Sequence, residues 1–144
     1  MDLLSPYLIA IACAWFVAQG LKYVVTGLKN HSFKSSLRQL YLSGNMPSAH
    51  SAAVAALLVV VAAKEGLDSA IFGLAALFSA IVMYDAVMVR RSSGEQGKAI
   101  TEMIKLTKSK IDLPRVAKGH TPIEVLAGAL IGLIIGFIVI LATS

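Results

Sequence analysis

Charge is scarce in this chain, and cysteine is nearly absent. Only 15% of the 144 residues are Asp, Glu, Lys or Arg, against about 25% in an ordinary soluble domain, so a conventional water-facing surface is excluded. Acidic residues are the scarcer sign, 8 against 13 basic, for a net charge of +5. The single cysteine, Cys13, rules out an intrachain disulfide and leaves the redox compartment open; inside an apolar run it reads as a small buried hydrophobe. The basic stretches lack interleaved aromatics and adjoin apolar segments, which excludes a nucleic-acid partner. No repeat of solenoid period is present.

Hydrocarbon takes the place of charge: 57% of residues are hydrophobic and the mean hydropathy is +0.76. Four apolar stretches follow, at about residues 6–27, 47–63, 69–89 and 122–142. They predict an all-α fold, a polytopic membrane helix bundle of about four transmembrane helices forming one domain over residues 1–144. The first, third and fourth reach the roughly 20 residues that span about 30 Å of hydrocarbon. The second is short and crosses only with local thinning or with its end at the headgroups. No basic region precedes the first stretch and no clear small-x-small site follows it, so it is read as a span and not a signal peptide. Pro47 and Pro122 suit first helical turns, with Asn45 and Thr121 as capping candidates.

Charge placement orients the bundle. Lys29, Lys34 and Arg38 lie between the first two spans, and Arg90, Arg91, Lys98, Lys105, Lys108, Lys110, Arg115 and Lys118 between the last two. With four crossings these loops share a side, cytoplasmic by the positive-inside rule, in the inner (cytoplasmic) membrane with the termini outside. That basic side also attracts anionic lipid headgroups. Ala99, Ile100, Met103 and Ile104 in the long loop fit either an amphipathic helix in the interface or a soluble basic hairpin. His31, His50 and His120 all fall at or near this face.

Two short stretches carry chemistry. Pro47-Ser48-Ala49-His50 opens the second span and His120-Thr121-Pro122-Ile123-Glu124 the fourth, each placing a histidine at a helix start, where free N–H groups and the dipole favour a phosphate. His120, Glu124, Gly128, Gly132 and Gly136 recur every four residues and form one stripe. A carboxylate one turn from a histidine can hold one ring nitrogen and raise the basicity of the other; the glycines let another helix approach closely. His50 is placed to donate a proton to a leaving oxygen, and Ser48 to grip phosphate. Asp85, near the end of the third span, is expected to face the bundle and pair with Lys22, Arg90 or Arg91. Tyr84 beside it reads as an interface anchor.

Pro47-Ser48-Ala49-His50 resembles the second signature of the type 2 phosphatidic acid phosphatase superfamily. His120-x-x-x-Glu124-Val125-x-x-Gly128-x-x-x-Gly132 resembles its third. Together with Ala18-Gln19-x-x-Lys22, Gly44-x-Met46-Pro47-Ser48-x-His50-Ser51, Val82-Met83-Tyr84-Asp85-Ala86, Val89-Arg90-Arg91-x-x-Gly94-x-Gln96 and Gly119-His120-Thr121-Pro122-x-Glu124-Val125, they make the chain similar to the small bacterial divergent PAP2 family, related to acid phosphatases and vanadium-dependent haloperoxidases. The resemblance implies a metal-independent hydrolase of a lipid phosphate or diphosphate that needs no cofactor. His120 would be the nucleophile of a phosphohistidine intermediate, Glu124 its orienting carboxylate and His50 the acid. Lys22, Ser48, Lys29, Arg90, Arg91, Arg115 and Asp85 are the candidates for the phosphate site.

The chain departs from the superfamily pattern in three places. Glu124 stands where Asp is usual, Lys29-Asn30 where the first signature has Arg-Pro, and Arg115 is one residue too close to His120. Lipid phosphatases of the superfamily have six spans, so four imply a minimal core or a homodimer that completes the bundle. Membrane lipids are the expected partners. Two other functions stay open: a phosphate-lipid or anion transporter or scramblase using the same cavity, which needs the glycine stripe to line a path, and a catalytically inactive membrane assembly subunit. A metal held by His50, His120, Glu124 and Asp85 has no recognised ligand spacing.

Overall fold

Helix is the only regular structure among the described residues of the computed structural model, which are 5–30, 46–114, 116 and 119–143. Helix α1 spans Pro6–Asn30 and α2 spans Ala49–Glu65; α3 spans Ala70–Tyr84 and passes through a π-helical turn, Asp85–Val89, into α4, Arg90–Leu106; α5 spans Pro122–Ala142. Three stretches are long and apolar enough to cross a membrane: Pro6–Leu28, the continuous helix Ala70–Leu106, and Pro122–Ala142. The protein is a polytopic helical membrane protein, as the apolar runs predict. Large side chains cover its outer face, among them Phe16, Leu28, Leu74, Phe78, Ile134 and Phe137; water would not tolerate so continuous an apolar surface.

The centre is built from small residues. Ala10, Ala14 and Ala18 of α1 meet Ala49, Ala52, Ala56 and Val60 of α2, and α2 also packs against α3 and α5. At 17 residues it is about 25 Å long, shorter than its three neighbours' apolar stretches. Tyr7 near the start of α1 donates to Glu65 at the end of α2, so these two helices are antiparallel. A tight turn with Gly66 at φ 87° reverses the chain into α3. Ser69 caps that helix, its Oγ accepting from Phe72 N at 3.1 Å, and Ser79 Oγ donates at 2.8 Å to Ala75 O and at 3.3 Å to Val54 O across the contact with α2.

Two boundaries differ from expectation. Ser48, with extended backbone and Oγ accepting from Ser51 N, is the cap of α2, so Pro47 precedes the helix instead of opening it; Asn45 lies outside the described residues. At the end of the third span no loop begins, because the π-turn carries the helix on into α4. The 37 residues of that helix measure about 55 Å, nearly twice a hydrocarbon core of about 30 Å. The polar α4 is therefore the part that continues beyond the span. It is helical, as the amphipathic reading had it, and exposes Ile100, Met103 and Leu106.

Candidate active site

The site lies where α2 and α5 begin side by side. The two helices run parallel, and Gly128, Gly132 and Gly136 of α5 rest against the carbonyls of Ser48, Ala52 and Ala56. A Cβ at those glycines would lie 2.3, 2.2 and 2.9 Å from the three oxygens, so at least the first two positions accept only glycine without the helices moving apart. Both partner series advance by four residues, and the stripe is thus a backbone-to-backbone contact. At its top Ser48 N donates to Glu124 O at 3.1 Å, which fixes the two helix starts to each other.

Sequence dictates the local geometry around His120. Thr121 caps α5, Pro122 follows without needing an N–H partner, and Glu124 completes a capping box that satisfies helix-start donors in both directions. Glu124 Oε2 accepts from Thr121 N at 3.0 Å and lies 3.2 Å from His120 Nδ1. A carboxylate can only accept, so Nδ1 carries the proton and Nε2 keeps its lone pair. His120 N donates to Ala86 O at 2.9 Å, which anchors the ring's backbone to the π-turn, and the residue is 8% exposed. Burial pushes its pKa below the ordinary 6.5; the Glu124 hydrogen bond and charge pull it upward, and Lys22 and Arg90 push it down. The ring is neutral at neutral pH, and Nε2 is the nitrogen left with a free lone pair.

Two cations act on the ring. On α1 every fourth residue from Ala10 to Thr26 is buried, and Lys22 replaces alanine on this stripe where it reaches the level of the site. The charge of Lys22 acts on Glu124, His50 and His120. Arg90 acts on both histidines while its Nε pairs with Asp85 Oδ2 at 2.6 Å. Five residues apart on an α-helix, Asp85 and Arg90 would be about 140° apart; the π-turn, with Arg90 N bonded to Asp85 O, brings them together. His50 is exposed on the first turn of α2 within the field of Lys22, Arg90 and Asp85.

The other expected ligands are placed differently. Arg91 pairs with Glu95 at 3.3 Å on an exposed face of α4. Ser48 is fully buried, with its Oγ accepting from Ser51 N at 3.4 Å and from Ser51 Oγ at 2.8 Å, so it holds the helix start together. The side chain of Lys29, and Arg115 and His31 entirely, lie outside the described residues. Among the described residues no three His, Cys, Asp or Glu side chains gather as a metal site requires.

The profile of the divergent PAP2 family matches residues 4–135. The chain belongs to the divergent PAP2 family. It is also similar to a Bacillus subtilis (strain 168) protein described as "Uncharacterized membrane protein YuiD", 35% identical over 151 residues that cover 94% of each chain. No solved structure matches it.

Sequence reasoning missed three features of the elements that carry His120, Arg90 and Lys22. The Ala86 carbonyl that anchors His120 belongs to the π-turn, for which the i, i+5 spacing of Asp85 and Arg90 is the available signal. Gly119 lies against α4, where a Cβ would come 2.5 Å from Arg91 N; its position beside His120 is the signal for a close approach. Thr26, buried one turn beyond Lys22, continues the α1 stripe and was visible in the four-residue spacing.

Proposed function

We propose that this protein is a membrane phosphatase that hydrolyses a lipid phosphate or diphosphate through a phosphohistidine intermediate. The single observation that carries the reading is the His120 ring, bonded through Nδ1 to Glu124 Oε2 and backed by the charges of Lys22 and Arg90. The Nε2 lone pair attacks phosphorus and the P–O bond to the lipid alcohol breaks. His50 gives its proton to the departing oxygen, and Glu124 stabilises the positive charge that forms on the phosphorylated ring. Water then attacks phosphorus while His50 takes its proton, the P–N bond breaks with its electron pair returning to Nε2, and inorganic phosphate leaves with His120 restored. Lys22 and Arg90 balance the negative charge on the phosphoryl oxygens, Arg90 being held in place by Asp85.

Lys98 and Lys105 lie on the helix that continues from the site's side of the bundle, and Lys108 and Lys110 just after it; by the positive-inside rule they support a site at the cytoplasmic face of the inner membrane. Hydrolysis is favoured over translocation because the glycine stripe, which a lipid path along α5 would need open, is occupied by carbonyls of α2. Phosphate release by the detergent-solubilised protein from a panel of lipid phosphates and diphosphates, with EDTA present, tests the reading. Release that disappears in His120→Ala and His50→Ala supports it. A wild type that binds these lipids and releases nothing overturns it in favour of transport.

A further inference from the structure

The outer face of the continuous helix Ala70–Leu106 carries a repeat that the candidate site does not use. Before the π-turn an exposed line runs through Leu74, Leu77, Ile81 and Tyr84, at spacings of three, four and three. After it, Val89, Ser92, Gln96, Ala99, Met103 and Leu106 continue at three, four, three, four and three, and all are exposed. This alternation is the a/d repeat of a helix that packs along another helix. Between Tyr84 and Val89 the step is five where the repeat requires four. The extra residue falls within the π-turn Asp85–Val89, whose hydrogen bond spans one residue more than that of an α-helix, so the seam stays in phase from one end of the helix to the other. No seam position carries a charge, although Arg91, Glu95, Lys98, Glu102 and Lys105 are all exposed beside it.

Lipid covers only part of this seam. Counted from Ala70, about 20 residues fill the hydrocarbon, so the seam leaves it near Val89, and Met103 and Leu106, 65% and 83% exposed, lie beyond it. Copies of the chain share one membrane orientation, set by their basic loops. Two such helices therefore meet parallel, and a two-fold axis along the membrane normal sets each seam residue against its own counterpart. In that pairing Glu95 borders Ile100 of the second copy and Glu102 borders its Thr107, so like charges do not meet. Ser92 and Gln96, bonded to each other at 3.4 Å, put a hydroxyl and an amide on the seam where it leaves the hydrocarbon, and polar groups there bond across a helix pair and fix its register. A stable interface buries about 800 Å² per partner, or about 80 Å² for each of the ten seam residues. The large apolar ones are 53% to 83% exposed, which leaves that much surface to bury.

We propose that the helix Ala70–Leu106 pairs in parallel with the same helix of a second copy, along the seam from Leu74 to Leu106. The π-turn then has two consequences: it joins Asp85 to Arg90 at the candidate site and keeps the dimer seam in phase. The pairing does not depend on the phosphatase reading.

The test is disulfide cross-linking in native membranes, on a Cys13→Ser background that leaves one introduced thiol per chain. Oxidation with diamide is expected to give a covalent dimer, twice the 15.2 kDa of the chain, from Ile81→Cys, Ala99→Cys and Met103→Cys, whose Cα atoms would lie within the roughly 7 Å that a disulfide spans. Lys98→Cys and Lys105→Cys, exposed on the same helix but off the seam, should give none. No dimer from the seam positions, dimer from Met103→Cys without dimer from Ile81→Cys, equal yields on and off the seam, or a Met103→Cys adduct of another mass each overturns the proposal. The unsubstituted protein gives a second reading: two copies per particle after extraction into polymer nanodiscs support the pairing, and one copy per particle overturns it.

Discussion

Substituting Gly128 by alanine tests how tightly the site depends on the α2–α5 contact. The new Cβ would lie 2.3 Å from Ser48 O, roughly 1 Å inside van der Waals contact. The oxygen belongs to backbone that caps α2, so it cannot swing aside as a side chain would. The helix starts must therefore separate by about 1 Å, and the Ser48 N to Glu124 O bond, now 3.1 Å, stretches beyond hydrogen-bonding range. Overpacking of this kind costs about 1–3 kcal/mol, and the lost bond adds about 1 kcal/mol. Because Glu124 also holds the His120 ring, a shift near 1 Å lowers the rate by about 100-fold. Phosphate release and thermal unfolding in detergent, measured on Gly128→Ala and Gly136→Ala together, read both effects. Gly136, with 2.9 Å to Ala56 O and two turns further from His120, is expected to lose little activity. Wild-type turnover in Gly128→Ala, or a larger loss in Gly136→Ala, would refute the reasoning.

Other outcomes follow from the same geometry. Nucleophilic attack needs neutral His120, whose pKa lies below 6.5 because of burial. Activity should therefore rise with pH through a value under 6.5, and Glu124→Gln, which removes the interactions that raise this pKa, should move that limb of the pH–rate profile further down; a limb above 6.5 would contradict the assignment. Arg90→Gln should weaken phosphate-lipid binding about tenfold and Arg91→Gln by less than about twofold, since Arg91 is engaged with Glu95 on the surface; binding titrations that rank them in the opposite order would shift the phosphate site toward α4. Gly119→Ala should displace His120 by pressing on the Arg91 backbone, lowering turnover by about 100-fold, and wild-type kinetics in this variant would show that the approach to α4 has no bearing on the ring.

The elements of the bundle were legible because lipid imposes long apolar runs, and residues 6–27, 69–89 and 122–142 each contain one. The His120 and Glu124 pair was legible for the same reason that makes it work: four residues on a helix start place two side chains on one face. The glycine stripe announced a close contact, although three glycines cannot say which helix they meet, and only the fold supplies the carbonyls of Ser48, Ala52 and Ala56. The choice between Arg90 and Arg91 depends on the π-turn, a single extra residue in the helical ladder that hydropathy does not register. Ser48 was read as a phosphate ligand because hydroxyls at helix starts serve both as caps and as anion donors. Its burial beside Ser51 is a consequence of α5 covering the start of α2, a tertiary fact with no local sign.

Trapping the intermediate tests the central claim most directly. Solubilised protein is mixed with lipid phosphate labelled in its phosphoryl group, quenched in alkali to preserve phosphohistidine, digested and mapped by mass spectrometry. The account predicts label on His120, absent from His120→Ala. Label on another residue, or phosphate release with no phosphoprotein at any time in the turnover, would contradict it.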